Sequence, residues 1–282
     1  MVMTPEQSAK LKEVQFEMLK VFAEICEKEK LTYWLIAGTA LGAVRHKGFI
    51  PWDDDIDVGM PRADYERFME IGQSYLPEYY FLQNYKTDPN YPINFAKIRD
   101  SRTTYIESSA AHLNMNHGVW IDIFPHDGFP EGKLRVKLFK LRSKITFARI
   151  YLVFTKKILL DRAHKVKRAM CHLTKLLYPT VKGTVKRRER LFTKYPYDTS
   201  QYVLNNSGAW GDREIQQRSV FGEGTEGAFE GFKINLPLDW DKYLSTLYGD
   251  YMTPPPEDKR VGHHYADAID LEKPYTEYIN KK

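Results

Sequence analysis

Apolar residues recur every three or four positions early in the chain, at Leu11, Val14, Met18, Val21, Phe22 and Ile25. That spacing lines one side of a helix. Thr4-Pro5-Glu6 supplies an N-cap, a first-position proline and a first-turn acid, so the helix is predicted to start there and end near residues 28–30. The period then changes. Residues 31–37 read as a buried strand broken by Gly38-Thr39, and 40–46 as a short helix closed by Gly48. A second strand is predicted over 54–60, after which Pro61 opens a helix with Tyr65, Phe68, Met69 and Ile71 inward. Further strands are predicted at 79–85, 94–100 and 103–107, and another, rich in apolar residues, at 117–124. From Lys133 to about 177 the pattern is helical again, and it then weakens among glycines and prolines until 243–251. Strands and helices intermixed over 282 residues indicate an α/β (α+β) chain. Charge and periodicity both change near 130, which predicts a core over 1–130, a helical lobe over 131–195, and a segment 196–282 that completes the core.

Composition narrows the class. Hydrophobic residues at 43% and charged residues at 28% describe an ordinary soluble globular protein. Cys26 and Cys171 lie too far apart to suggest a disulfide framework or a zinc site, so a reducing cytoplasm is expected. The polar start, Met1-Val2-Met3-Thr4, lacks a signal-peptide core, and no apolar run approaches the roughly 20 residues that span a bilayer. The net charge of +5 hides an asymmetry: residues 133–194 hold 20 Lys and Arg against Asp161 and Glu189, leaving −13 on the remainder. Such a separation of sign points to a polyanionic partner. Leu138, Leu141, Ile145, Leu152, Leu173 and Leu177 give this segment apolar faces at helical spacing, expected to be core. Its cationic surface suits an anionic membrane leaflet, each basic residue adding about 1 kcal/mol, and places the protein on the inner face of the cell membrane. No nucleic-acid-binding motif is present, and no nucleic-acid partner is expected.

The most informative chemistry lies in Pro51-Trp52-Asp53-Asp54-Asp55-Ile56-Asp57-Val58, which packs four carboxylates into five positions. On a strand, Asp53, Asp55 and Asp57 would share a face while Ile56 and Val58 enter the core. Two unit charges about 5 Å apart at an effective dielectric of about 20 repel by roughly 3 kcal/mol. A hard divalent cation with oxygen ligands, Mg²⁺ above all or Mn²⁺, is the natural partner. Asp122, between Ile121 and Ile123, is a second acid on an otherwise apolar strand and is read as a further ligand. Gly38-Thr39 ends one strand and enters a helix, presenting backbone N–H groups to an anion. Together these parts suit attack on a phosphorus atom of a nucleotide, with Asp122 the candidate to take a proton from an acceptor hydroxyl.

The run Ile36-Ala37-Gly38-Thr39-Ala40-Leu41-Gly42-Ala43-Val44-Arg45-His46-Lys47-Gly48-Phe49-Ile50-Pro51-Trp52-Asp53-Asp54-Asp55-Ile56-Asp57 resembles the signature of the LicD family, which is related to the fukutin-type transferases. Lys97-Ile98-Arg99-Asp100, Ile121-Asp122-Ile123-Phe124-Pro125 and Tyr248-Gly249-Asp250-Tyr251-Met252 with His263-His264 resemble its later blocks. The resemblance implies a nucleotidyltransferase-like mixed sheet flanked by helices. It also implies metal-dependent transfer of a phospho-substituent, typically phosphocholine, from a CDP-linked donor to a hydroxyl of a cell-surface glycan or its polyprenyl-linked precursor. In that pattern Asp55, Asp57 and Asp122 correspond to the metal-binding acids. His126 stands where the family commonly has an apolar residue, and the basic segment has no counterpart in the pattern.

Lys97 and Arg99 share a strand face and, given that resemblance, are read as phosphate-binding. Arg45 is placed either to reach the diphosphate or to clamp Asp53 or Asp54, and Arg102 is a weaker phosphate candidate. Arg260 and His263 are candidate substrate contacts; adjacent histidines diverge on any regular element, which argues against a two-histidine metal site. Gly222-Glu223-Gly224-Thr225-Glu226-Gly227 matches a dinucleotide fingerprint only formally, since no apolar strand leads in and its two glutamates would repel a pyrophosphate. Two other function classes compete: a glycosyltransferase that uses Asp-x-Asp to hold a nucleotide sugar, and a non-catalytic calcium- or polyanion-binding module.

Overall fold

A computed structural model of the chain describes residues 3–154, 165–262 and 264–279. The first helix, α1 (Pro5–Glu29), starts at Thr4, whose hydroxyl accepts the Gln7 N–H at 3.1 Å while the Gln7 side chain accepts the Thr4 N–H at 3.0 Å. This reciprocal cap satisfies two of the donors a helix start leaves open. Lys30, in the left-handed region at φ 55°, stops it. The face carrying Leu11, Met18, Leu19, Phe22 and Cys26 is buried in the main core.

There follow β1 (Trp34–Leu35), α2 (Ala37–His46), β2 (Asp57–Pro61), α3 (Arg62–Tyr75), β3 (Tyr80–Gln83), β4 (Ala96–Asp100), β5 (Thr104–Glu107) and β6 (Val119–Gly128). The sheet runs β1-β2-β6-β4-β3, with β2 and β6 parallel and the other pairs antiparallel. This is the mixed sheet flanked by helices that was expected. All ten residues of β6 are buried, because α1 and α3 pack against it and it pairs on both edges. Two expected elements differ. The strand expected over 31–37 is paired only at Trp34–Leu35, and the helix after it begins at Ala37, so Gly38 and Thr39 lie in its first turn rather than before it. The second strand begins at Asp57; residues 53–56 are irregular, so Asp53 and Asp55 do not reach Asp57's neighbourhood through strand parity.

The basic segment forms α4 (Lys133–Phe154), α5 (Lys165–Leu177) and α6 (Val181–Phe192). A small core of Phe129, Phe139, Phe192 and Leu204 joins this lobe to the end of β6. An ionic network completes the joint. Arg62 donates to both oxygens of Asp127 at 2.7 Å and to Glu189 at 2.6 Å, while Asn94 bridges Glu189 and Arg188. The expectation that the leucine-bearing faces are core does not hold. Leu138, Leu141, Leu173 and Leu177 are 43%, 52%, 58% and 57% exposed, and Leu134 69%. Helical spacing shows that one side is apolar; it does not show that anything covers it.

After the lobe the chain returns to the core. β7 (Tyr202–Asn205) pairs with the far half of β6 and with β8 (Gln216–Gln217). A one-turn helix, α7 (Arg218–Phe221), precedes the hairpin of β9 (Thr225–Phe229) and β10 (Phe232–Leu236). The glycine-rich run is thus a turn entering a hairpin strand and not a nucleotide-binding loop. The helix α8 (Trp240–Tyr248) follows, and β11 (Ala266–Asp270) pairs antiparallel with β5.

Candidate active site

The parallel register of β2 and β6 sets Asp57 directly opposite Asp122. Asp122 donates its backbone N–H to the Ile56 carbonyl at 2.8 Å, locking the loop that carries Asp55 against the same strand. Asp55, Asp57 and Asp122 each place a carboxylate oxygen within 4.8 Å of the others, as do Asp53, Asp54 and Asp55. The helix after β1 completes this end. Thr39 accepts the Asp57 N–H at 2.8 Å, and a Cβ at Gly38 would lie 2.6 Å from the Asp53 carboxylate, so a larger residue there would push that acid aside. Ala37 sits at φ 48° and donates its N–H to the Tyr243 hydroxyl at 3.0 Å.

Asp53, Asp55, Asp57 and Asp122 line a cavity of about 750 Å³ shared with Gly38, Arg45, Lys97, Arg99 and His264. Lys97, directly across from Asp122 in the antiparallel β4–β6 pair, holds its Nζ 2.8 Å from Asp122 Oδ1, and the Trp120 indole N–H donates to Oδ2 at 3.1 Å. The Lys97 ammonium also lies 4.2 Å from the Trp120 ring centroid. Arg99 is fully buried, donating to Gln83 at 2.8 Å and to the Gly118 carbonyl at 2.7 Å. Both cations therefore meet protein partners at the cavity wall, and Arg99 braces β4, whatever it offers a ligand.

Among the other candidates, Arg45 is on the cavity wall, while Arg102 and Arg260 are not among its lining residues. Arg45 donates to the Tyr251 carbonyl at 2.6 Å, and among the described residues the alternative clamp onto Asp53 or Asp54 is not formed. Arg102 is taken up by Asp100 and lies over Tyr79 at 3.6 Å, away from the cavity. Arg260 lies 5.3 Å from the Trp52 ring and donates to the Pro255 carbonyl; its neighbour Lys259 lines the cavity instead. His263 lies outside the described residues. His264 lines the cavity. Its backbone N–H and its Nδ1 meet the two oxygens of Asp54 at 3.1 and 2.9 Å, and Nε2 lies 3.9 Å from Asp55. His126, the family departure, is buried between Trp34 and Phe221, and burial pushes its imidazole down to about 4.

The electrostatics match a site built for a cation. Burial first, then Asp55 and Asp54, raise Asp53 to about 8. Burial, followed by Asp55, Asp122 and Asp53, pushes Asp57 well above the usual carboxylate range. Asp55 is raised by burial against the opposing pull of His264. Burial works against a charged His264, yet its bond to Asp54 and the charge of Asp55 bring it up to about 9. Hard carboxylate oxygens set this close together could hold a metal ion.

A pH dependence follows. Asp53 titrates near 8 folded against an ordinary 3.8, so between these values the folded chain binds protons that the unfolded chain has lost, and stability falls as pH rises. Asp57 acts in the same direction. The His264 contribution is complete below 6.5 and is lost as pH rises towards 9. His126, depressed to about 4, opposes this trend only below 6.5. The metal-free protein should therefore lose thermal stability steadily from about pH 6.5 to 8, and excess Mg²⁺ should flatten the slope. Melting curves at several pH values test this; a slope that Mg²⁺ leaves unchanged would contradict the cation site.

Comparison with known proteins agrees with this geometry. Residues 30–160 match the model of the LicD/FKTN/FKRP nucleotidyltransferase domain. The chain is 32% identical over 263 residues to the lipopolysaccharide cholinephosphotransferase LicD of Haemophilus influenzae, covering 92% of this chain and 96% of that protein. The chain belongs to the LicD family. An uncharacterized protein of Rickettsia prowazekii is 29% identical over 117 residues, 41% of this chain and 40% of that one. Human ribitol 5-phosphate transferase FKRP is 40% identical over 48 residues, 17% of this chain and 10% of that protein. The LicD match extends across the basic lobe and the returning C-terminal strands as well as the acid cluster.

Proposed function

We propose that this LicD-family protein transfers phosphocholine from CDP-choline to a hydroxyl of a cell-surface glycan, or of its lipid-linked precursor, with Mg²⁺ or Mn²⁺ as cofactor. One observation carries the reading: Asp55, Asp57 and Asp122 converge on one cavity in a chain whose match to a cholinephosphotransferase runs nearly end to end. Asp55, Asp57 and Asp122 would hold the metal, which neutralises charge developing on the diphosphate oxygens. Gly38 in the N-terminal turn of α2, with Arg45 and Lys97 on the same wall, would bind the diphosphate, while Thr39 beneath holds the Asp57 backbone N–H. Asp122, fixed at the buried centre of β6 by Lys97 and Trp120, is assigned to take the acceptor hydroxyl's proton. His264 holds Asp54 and keeps the acid loop in place.

The test is a donor panel. The protein, Mg²⁺ and glycan acceptors are incubated with CDP-choline, CDP-ethanolamine, CDP-ribitol or CDP-glycerol, and CMP release is measured. CDP-choline should turn over fastest. Thermal stabilisation by UDP- or GDP-sugars and none by cytidine nucleotides would overturn the reading in favour of a glycosyltransferase.

We infer further that residues 1–130 and 196–282 form the catalytic unit and that the lobe over 131–195 docks on an anionic membrane from the cytoplasmic side. Leu134, Leu138 and Leu141 recur at helical spacing as an exposed stripe among lysines and arginines, the composition of an interfacial helix. Among the described residues no helix is long and apolar enough to cross a membrane. Co-sedimentation should require anionic lipid, fade as salt rises, and weaken in Leu138→Glu/Leu141→Glu. Equal binding to neutral vesicles would contradict it.

A further inference from the structure

One corner of the cavity is not used by the phosphate chemistry. Trp210 and the last residue of α8, Tyr248, stand edge to face with ring centroids 4.8 Å apart, both on the cavity wall. The corner opens on the same cavity as Asp53, Asp55, Asp57 and Asp122. Beside the rings sits Glu214, 6% exposed and also on the wall. Its carboxylate accepts the Trp210 backbone N–H at 3.2 Å and, among the described residues, forms no ion pair with any Lys, Arg or His. The neighbouring Arg213 commits its Nη1 to the Leu247 carbonyl at 2.8 Å and reaches only 6.0 Å from the Trp210 ring centroid. The turn closes tightly around the acid, because a Cβ at Gly208 would lie 2.1 Å from Glu214 Oε1. Burial pushes Glu214 up to about 7, as expected of a carboxylate enclosed without a counter-charge.

A buried carboxylate behind two aromatic rings repels a phosphate and offers little to a polyol, which needs several hydrogen-bonding partners. It suits a cation that carries no N–H donors. Quaternary ammonium groups bind in this way, through charge and ring faces together. We propose that Trp210, Tyr248 and Glu214 form the pocket that receives the quaternary ammonium of the donor and so select it over primary amines and polyols. This rests on the phosphocholine reading above and extends it to the residues that set donor choice.

The experiment is calorimetric titration of the full chain, with Mg²⁺ and without acceptor, using CDP-choline, CDP-ethanolamine, CDP-glycerol and CDP. Trp210→Leu and Glu214→Gln should each weaken CDP-choline by roughly tenfold or more and leave CDP binding within about twofold. The retained CDP binding shows that the variants are folded. Trp210→Phe, which keeps a ring, should recover most of the affinity. Unchanged CDP-choline affinity in Trp210→Leu and Glu214→Gln, or equal losses for CDP-choline and CDP, would overturn the pocket while leaving phosphocholine transfer standing. A wild-type preference for CDP-glycerol over CDP-choline would overturn the pocket and the donor reading together.

Discussion

Asp57→Asn is expected to lower CMP release by roughly 10²–10³-fold or more, the range seen when one preorganised charge-stabilising group is removed from an active site. The substitution keeps the side chain's shape and the backbone N–H that Thr39 accepts at 2.8 Å, so the start of β2 should stay in place. It also removes one ionisable acid from a group that burial and mutual repulsion hold above the ordinary carboxylate range. The metal-free variant should therefore melt no lower, and preferably higher, than the wild type at pH 7.5, while Mg²⁺ should stabilise it less. A loss of activity with preserved stability and reduced Mg²⁺ response separates a ligand from a merely structural acid. Unchanged CMP release would remove the assigned mechanism.

Arg62→Ala should cost about 3–5 kcal/mol of stability, the scale for removing one partner of a buried ion pair. Arg62 is the only arginine placed between Asp127 and Glu189 among the described residues, with bonds of 2.7, 2.7 and 2.6 Å. Asp127 is fully buried, so its charge has no route to solvent when the guanidinium is gone. Glu189 belongs to α6 in the basic lobe and Asp127 to β6 in the core, so the loss should also loosen the lobe. Chemical denaturation measures the first effect, and hydrogen exchange over α4 and α6 measures the second. An additional Asp127→Asn substitution should recover part of the loss by removing the stranded charge. A change below about 1 kcal/mol in Arg62→Ala, typical of an exposed pair, would show that the network is not the joint described here.

The acid cluster and the Arg62–Asp127 pair both lie within the matched domain, residues 30–160, while Glu189 lies beyond it in the lobe. The Arg62 network ties the core to a lobe that carries exposed leucines. The proposed membrane docking and the proposed catalysis should be separable by substitution: charges placed on Leu138 and Leu141 should impair lipid binding without altering turnover of soluble acceptors.

Local chemistry by itself determined the elements with short-range causes. Thr4 and Gln7 close a cap within four residues, the apolar spacing of α1 selects its buried face, and Asp55, Asp57 and Asp122 are conspicuous because carboxylates are disfavoured where they stand. Their convergence was legible through family pattern; its cause was not, for residues 53–56 are irregular and it is the parallel pairing of β2 with β6 that sets Asp57 beside Asp122. Only the tertiary structure set His264 against Asp54, gave Arg99 and Arg102 to protein partners, and brought Trp210, Glu214 and Tyr248 to the same wall. It also left the leucines of α4 uncovered. Periodicity reports which residues share a side of an element, because that depends on bonds a few residues apart; what the side meets depends on chain segments a hundred or more residues away.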